Sequence, residues 1–315
     1  MNNHPFFKLP LILTMASFVI SLSIMFSLIL LRSHGTIAGF FEMFAITIGL
    51  FFVELPKLLL LIVLAVFALY RYAINIMTVK NILLVILVAI IINGFVLLFN
   101  FFALPLFIQF YSYIEQYYDP IITASFQLVI AVCKYFITAI VAYGSIVILK
   151  NLFDHDVKSQ ALQQYGSVRI HLILFLLLFM SILTLFLIPI LLPILQNTIP
   201  YQNYNMAVIN LFSLIILVFT LTFAIKKSFN YAFSTLQIAK IIKSVIFVMI
   251  AAVIVNCIVS VIIILIIKEV PYYYFNYNLI LLLLLLIGVL QLIIICGIAR
   301  VFTKRYFSAT FNATE

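Results

Sequence analysis

Lys134 is the residue whose type and position most invite chemistry, because it stands thirteen residues into an apolar run, 121–149, and fifteen before its end. A lysine at that depth of a hydrophobic helix costs about 3 kcal/mol on insertion scales, and it marks a functional hypothesis by default. On a helix, Gln127 lies seven residues earlier and Thr138 four later, so the three form a polar stripe facing one way. Glu42 and Glu54, in the apolar stretch 36–70, are the candidate counter-charges. A protonatable lysine–glutamate pair near the midplane of a bilayer suits a proton-coupled or anion-handling transporter. If the span starts near Gln127 or Leu128 instead, Lys134 snorkels to the outer interface at little cost. The candidate site is therefore Lys134, Gln127, Glu42 and Glu54.

Other familiar chemistries lack their residues. The four histidines, His4, His34, His155 and His171, include no H-E-x-x-H pair, and eight glycines form neither a P-loop nor a G-x-G-x-x-G turn. An ATP-driven engine would have to be another subunit. Asp154, His155 and Asp156 form the densest ionisable cluster, yet neighbours in one loop rarely converge on an ion, so they read as solvated loop polarity. Cys133, Cys257 and Cys296 all fall inside apolar runs and read as small core hydrophobes. No catalytic constellation, metal site or cofactor site is expected. Asn93, Asn100, Asn210, Asn256 and Gln291 read as hydrogen-bonding glue between helices. Pro189 and Pro193 bend or end their helix and, with Pro105, would mark the broken helices that transporters place around substrates.

The elements that must position these residues follow from composition. Of 315 residues, 67% are hydrophobic and 8% charged, against about 45–50% and about 25% in a soluble domain. Twenty-five charged side chains cannot cover a fold that also hides 32 phenylalanines, so the solvent is lipid. The same figures argue against a disordered chain, a disulfide-stapled module and a nucleic-acid binder. Runs at 9–31, 82–108, 121–149, 170–195, 206–225, 245–267 and 279–299 are each long enough for a helical span. The stretch 36–70, interrupted by Glu42 and by Glu54-Leu55-Pro56-Lys57, is expected to hold one span over 49–70 behind an interfacial or re-entrant segment, with two short spans turning at Pro56 as the alternative. The expected class is all-α, a polytopic integral membrane domain over 1–315 of eight helices, nine under the alternative.

Orientation follows from the basic residues. With both termini inside, thirteen of the 17 Lys and Arg lie on the inner side, Arg32, Lys57 and Lys268 lie outside, and Lys134 falls within a run. That split places the termini in the cytoplasm and the inner connections against anionic headgroups. The outer connections hold ten of the 17 tyrosines, an interfacial aromatic belt. Inner connections begin near residues 71, 150, 226 and 300, so the chain reads as serial hairpins over 1–70, 71–149, 150–225 and 226–299. In the third inner connection Phe229, Phe233 and Leu236 recur at helical intervals, as in a short amphipathic helix along the cytoplasmic interface, but the same spacing continues onto Lys240 and Lys243, so a cytoplasmic extension of the following helix is the expected form.

The segment KKSFNYAFSTLQIAKIIKSVIFVMIAAVI, and more loosely SQALQQYGSVRIHLILFLLLF, resembles bacterial integral-membrane families related to the membrane domain of glycerophosphodiester phosphodiesterases, over about residues 150–299. Those families mostly have six spans, and the soluble domain that carries hydrolysis is missing here. The resemblance implies a non-catalytic membrane body serving envelope or lipid homeostasis. Taken together, the expected function is a transporter-like or permease-like body of the bacterial inner membrane for a small solute, ion or lipid. The alternative is an envelope assembly, accessory or immunity protein acting through a membrane-protein partner or as a homo-oligomer. An intramembrane enzyme is disfavoured.

Overall fold

The computed structural model describes residues 7–33, 37–74, 76–114, 120–155, 168–195, 216–229, 236–269 and 277–307, and every regular element among them is helical. In chain order these are α1 (Lys8–Ser33), α2 (Ile37–Arg71), α3 (Val79–Ile114), α4 (Pro120–Leu149), α5 (Val168–Leu195), α6 (Ile216–Lys226), α7 (Ile238–Glu269) and α8 (Tyr277–Phe307). The all-α class and the number of helices agree with the sequence expectation. Unbroken Leu, Ile, Val and Phe runs bury no polar side chain and leave each backbone N–H to the carbonyl four residues back, which favours helix wherever water is absent. Among the described residues, Val79–Ala103, Leu128–Leu152, Ile238–Val259 and Leu286–Phe307 are long and apolar enough to cross a membrane.

The stretch 36–70 departs from expectation. It forms a single helix, Ile37–Arg71, with Pro56 inside it, rather than a short span behind a separate segment or two spans turning at the proline. Proline removes one N–H from the helical ladder, while the Pro56 carbonyl accepts a hydrogen bond from the Ser181 hydroxyl at 2.7 Å. Lys57 is therefore inside a helix and 9% exposed, not part of an outer connection. The expected broken helices are also absent at the other prolines: α3 continues past Pro105 to Ile114, and α5 continues past Pro189 and Pro193 to Leu195.

The chain groups into two compact units. The first, Met1–Gln160 with Met180–Ile209, contains α1 to α4 and the second half of α5. Its four complete helices form a ring in which α1 packs on α2 and α3, and α4 packs on the same two. Leu61, Ala65 and Ala68 of α2 and Val85, Val88, Ala89 and Ile92 of α3 recur at helical spacing and pack with Leu9, Leu13, Ala142 and Ile146. Alanines at these positions let the helix backbones approach closely. The opposite faces are apolar too: Val79 is 75% exposed, Ile140 70% and Phe102 72%. A helix apolar on every side has no face suited to water.

A Schellman motif ends α2. Ile74 N–H donates to Leu69 O (2.9 Å) and Ala73 N–H to Tyr70 O (3.2 Å), with Ala73 at φ 54°, where glycine is usual. Thr78 then caps α3, its Oγ1 accepting Asn81 N–H at 3.1 Å.

The second unit, Ala161–Phe179 with Asn210–Glu315, holds the first half of α5 with α6, α7 and α8. Phe175, Phe179, Phe229 and Phe307 form a buried aromatic cluster, with the Phe229 and Phe307 centroids 4.6 Å apart. The predicted extension of α7 is not seen in the described residues. A 3₁₀ turn, Lys227–Phe229, follows α6, α7 starts at Ile238, and Phe229 and Leu236 are buried instead of lying along an interface.

Candidate functional site

Glu54 stands midway along α2, and Lys134 and Ser181 stand near the middle of α4 and α5. Equal heights on packed helices gather their polar side chains into one layer of the first unit. Lys57, one turn after Glu54, donates to Glu54 Oε2 at 2.8 Å and to Asn93 Oδ1 at 3.1 Å. Asn93 is 3% exposed and donates through Nδ2 to Ala89 O (2.8 Å), Ser17 Oγ (2.9 Å) and Ser17 O (3.2 Å). One amide thus ties α1, α2 and α3 together with every partner bonded, the condition under which buried polar groups hold a fold.

On the fourth helix of the ring, Lys134 is half-buried. The charged groups that act on it are Glu54 and Lys57. No hydrogen bond or ion pair to Lys134 is formed among the described residues. Thr138, one turn further along the same face, is 1% exposed, and its Oγ1 has no hydrogen-bond partner. Beside Lys134 in sequence, Tyr135 Oη lies 2.8 Å from Ser181 Oγ. Because the one Ser181 proton is directed at the Pro56 carbonyl, the Tyr135 hydroxyl must donate to Ser181. This chain of hydroxyls ends on a backbone carbonyl and pins the second half of α5 against the helix that carries the ion pair.

Of the four expected site residues, Glu54 acts electrostatically on Lys134 but forms no ion pair with it. The side chains of Gln127 and Glu42 lie outside the described residues. Position 42 is twelve residues before Glu54 on one helix, about 18 Å along its axis at 1.5 Å per residue, so it belongs to a different level from the polar layer. Lys57 and Asn93 are the members sequence reasoning misplaced or treated as glue. The available signal was the i, i+3 spacing of Glu54 and Lys57, which fits an intrahelical ion pair, but Pro56 between them reads as a turn.

At the basic end of the same unit, Asp154 and Asn81 close the bundle. Thr78 Oγ1 donates to Asp154 Oδ2 (2.8 Å) and Lys80 Nζ to Asp154 Oδ1 (3.0 Å). These bonds hold the Asp154 carboxyl below the usual carboxylate range. Asn81, 0% exposed, also donates to Ile76 O at 2.9 Å. His155 Nδ1 lies 2.8 Å from Tyr72 O, Arg71 donates to Tyr143 Oη at 2.9 Å, and Lys150 sits 5.3 Å from the centre of the Tyr72 ring. Asp154 is thus a fastener between two connections, not free loop polarity, and Asp156 lies outside the described residues.

In the second unit, His171 is 0% exposed and its Nε2 accepts the Gln237 N–H at 3.0 Å, just ahead of α7. The three cysteines are free thiols, with Cys257 exposed on α7 rather than in a core. Among the described residues no three His, Cys, Asp or Glu side chains gather where they could hold a metal. No family model, no curated protein and no solved structure matches this chain.

Proposed function

We propose that the chain is a polytopic protein of the bacterial cytoplasmic membrane, a transporter-like body whose α1–α4 unit carries a small solute, ion or lipid past the polar layer around Lys134. The carrying observation is that layer: two ammonium side chains and one carboxylate, with Asn93, Ser17 and Thr138, at mid-height of a bundle whose outer faces are apolar. Polar groups are expensive in hydrocarbon, so a layer of them supports a path for something polar. A structural bundle could be held by apolar packing alone. Arg71, Lys80 and Lys150 are all fastened at one end of the unit, and Lys240, Arg300, Lys304 and Arg305 fall at matching ends of α7 and α8. This supports cytoplasmic termini and contact with anionic headgroups there. The resemblance over residues 150–299 fits the same reading, a membrane body without hydrolytic chemistry.

Solvent access at Lys134 tests the proposal. Cys133, Cys257 and Cys296 are replaced, Lys134→Cys is introduced, and a membrane-impermeant maleimide is applied to intact cells and to inverted vesicles. Labelling from both sides, or from the cytoplasmic side, is expected for a hydrated path. No labelling from either side would place the residue in a dry helix interface and shift the assignment to an assembly role.

A further inference from the structure

We propose that the polar layer binds a small monovalent anion, held between the Lys134 ammonium and the Thr138 hydroxyl. The inference rests on the transport reading and names the class of its substrate. The first argument is charge. Glu54 is already engaged at 2.8 Å by Lys57, and position 42 lies about 18 Å away along α2. Of the eight acidic residues of the chain, Glu42 and Glu54 are the two in the interior of the ring's helices. Glu54 is thus shared between Lys57, which it bonds, and Lys134, on which it acts without an ion pair, so two ammonium groups face one carboxylate at this level, and a surplus charge in an apolar bundle is costly.

The second argument is the unused hydroxyl. The other helical threonines whose side chains lie among the described residues donate to the carbonyl four residues back: Thr14 to Pro10, Thr184 to Met180, Thr220 to Ile216, Thr222 to Val218 and Thr303 to Ala299. Thr138 does not, although it is 1% exposed. A buried hydroxyl that makes no bond to its own helix leaves a donor for a ligand. Residues four apart share a face, so the free donor and the lysine without an ion pair stand one above the other. One surplus positive charge matches one negative charge, which selects monoanions such as chloride or formate over sulfate.

The test uses the full chain reconstituted in liposomes, with the potential clamped by potassium and valinomycin, and uptake of labelled chloride, formate and sulfate. Chloride or formate uptake above protein-free liposomes is expected, with sulfate at background. Lys134→Gln should reduce uptake at least about 30-fold, the loss expected when one side of a desolvated charge pair is removed. Lys134→Arg keeps the charge and should retain uptake. Thr138→Val, of nearly the same shape, should lower it about fivefold, the worth of one hydrogen bond, and serves as the second variant where Lys134→Gln does not fold. Undiminished uptake in both Lys134→Gln and Thr138→Val would overturn the proposal, as would sulfate uptake equal to that of chloride. No anion uptake while Lys134→Cys is labelled from water would also overturn it, leaving the hydrated path standing. No uptake together with no labelling would remove both readings.

Discussion

Asn81 and Asp154, 73 positions apart, pair as two strands would. Asp154 N–H donates to Asn81 Oδ1 at 2.8 Å, and Asn81 Nδ2 donates to Asp154 O at 3.0 Å. The side-chain amide stands in for a second backbone and clamps the α2–α3 connection onto the end of α4. Below the clamp, Phe153 is 2% exposed and closes the packed core.

Acid should loosen this clamp. The Asp154 carboxyl is held below its ordinary range by bonds from Lys80 and Thr78, so its contribution is fully present above the ordinary carboxylate pKa. It is lost as pH falls through the lower, folded value. Wild type should be more thermally stable than Asp154→Asn in detergent at neutral pH, and the two melting temperatures should converge in strong acid. A constant difference across that range would remove the carboxylate from the clamp.

Breaking the mid-height ion pair should cost more than deleting it. Lys57→Leu leaves the Glu54 carboxylate, with 22% of its side chain exposed, without its bonded cation, and should cost about 3 kcal/mol. Glu54→Leu with Lys57→Leu should recover most of that loss, because the carboxylate is then not left without its bonded cation. Denaturant unfolding in detergent measures both. Additive losses would show that the two residues are not coupled.

The end of α2 offers a stabilising change. Ala73 occupies a left-handed conformation, φ 54°, which costs an L-residue about 1 kcal/mol that glycine does not incur. Ala73→Gly should therefore raise stability by about 0.5–1 kcal/mol. An unchanged or lowered melting temperature would mean that the alanine methyl group makes compensating contacts.

In the second unit, His171 Nε2 must be unprotonated to accept the Gln237 N–H. His171→Phe keeps a ring against Phe307 but leaves that N–H without its acceptor, and should cost about 2 kcal/mol. Amide exchange at Gln237 and the first turn of α7 should quicken in the variant. Unchanged protection would show that another group takes over the N–H.

Much of this architecture was legible in the sequence because hydrophobic run length is a local property. A run of apolar residues in the absence of water has one way to satisfy its backbone, and so the all-α class and the eight helices follow from spacing alone. The depth of Lys134 and the presence of Glu54 were legible for the same reason. What the sequence could not convey is which polar groups meet. Glu54-Leu55-Pro56-Lys57 reads as a turn by local preference, yet α2 continues through it, since Lys57 finds Glu54 on its own helix and Asn93 on another, and Ser181 occupies the Pro56 carbonyl. Those partners are 36 and 125 positions away in the chain. Asp154 was hidden likewise, read as loop polarity, and nothing local marks Asn81 as its partner. Run length determined the class and the number of the elements, though not the continuity of α2, whereas the polar layer and the clamp exist only once helices pack, because a hydrogen bond depends on distance in space.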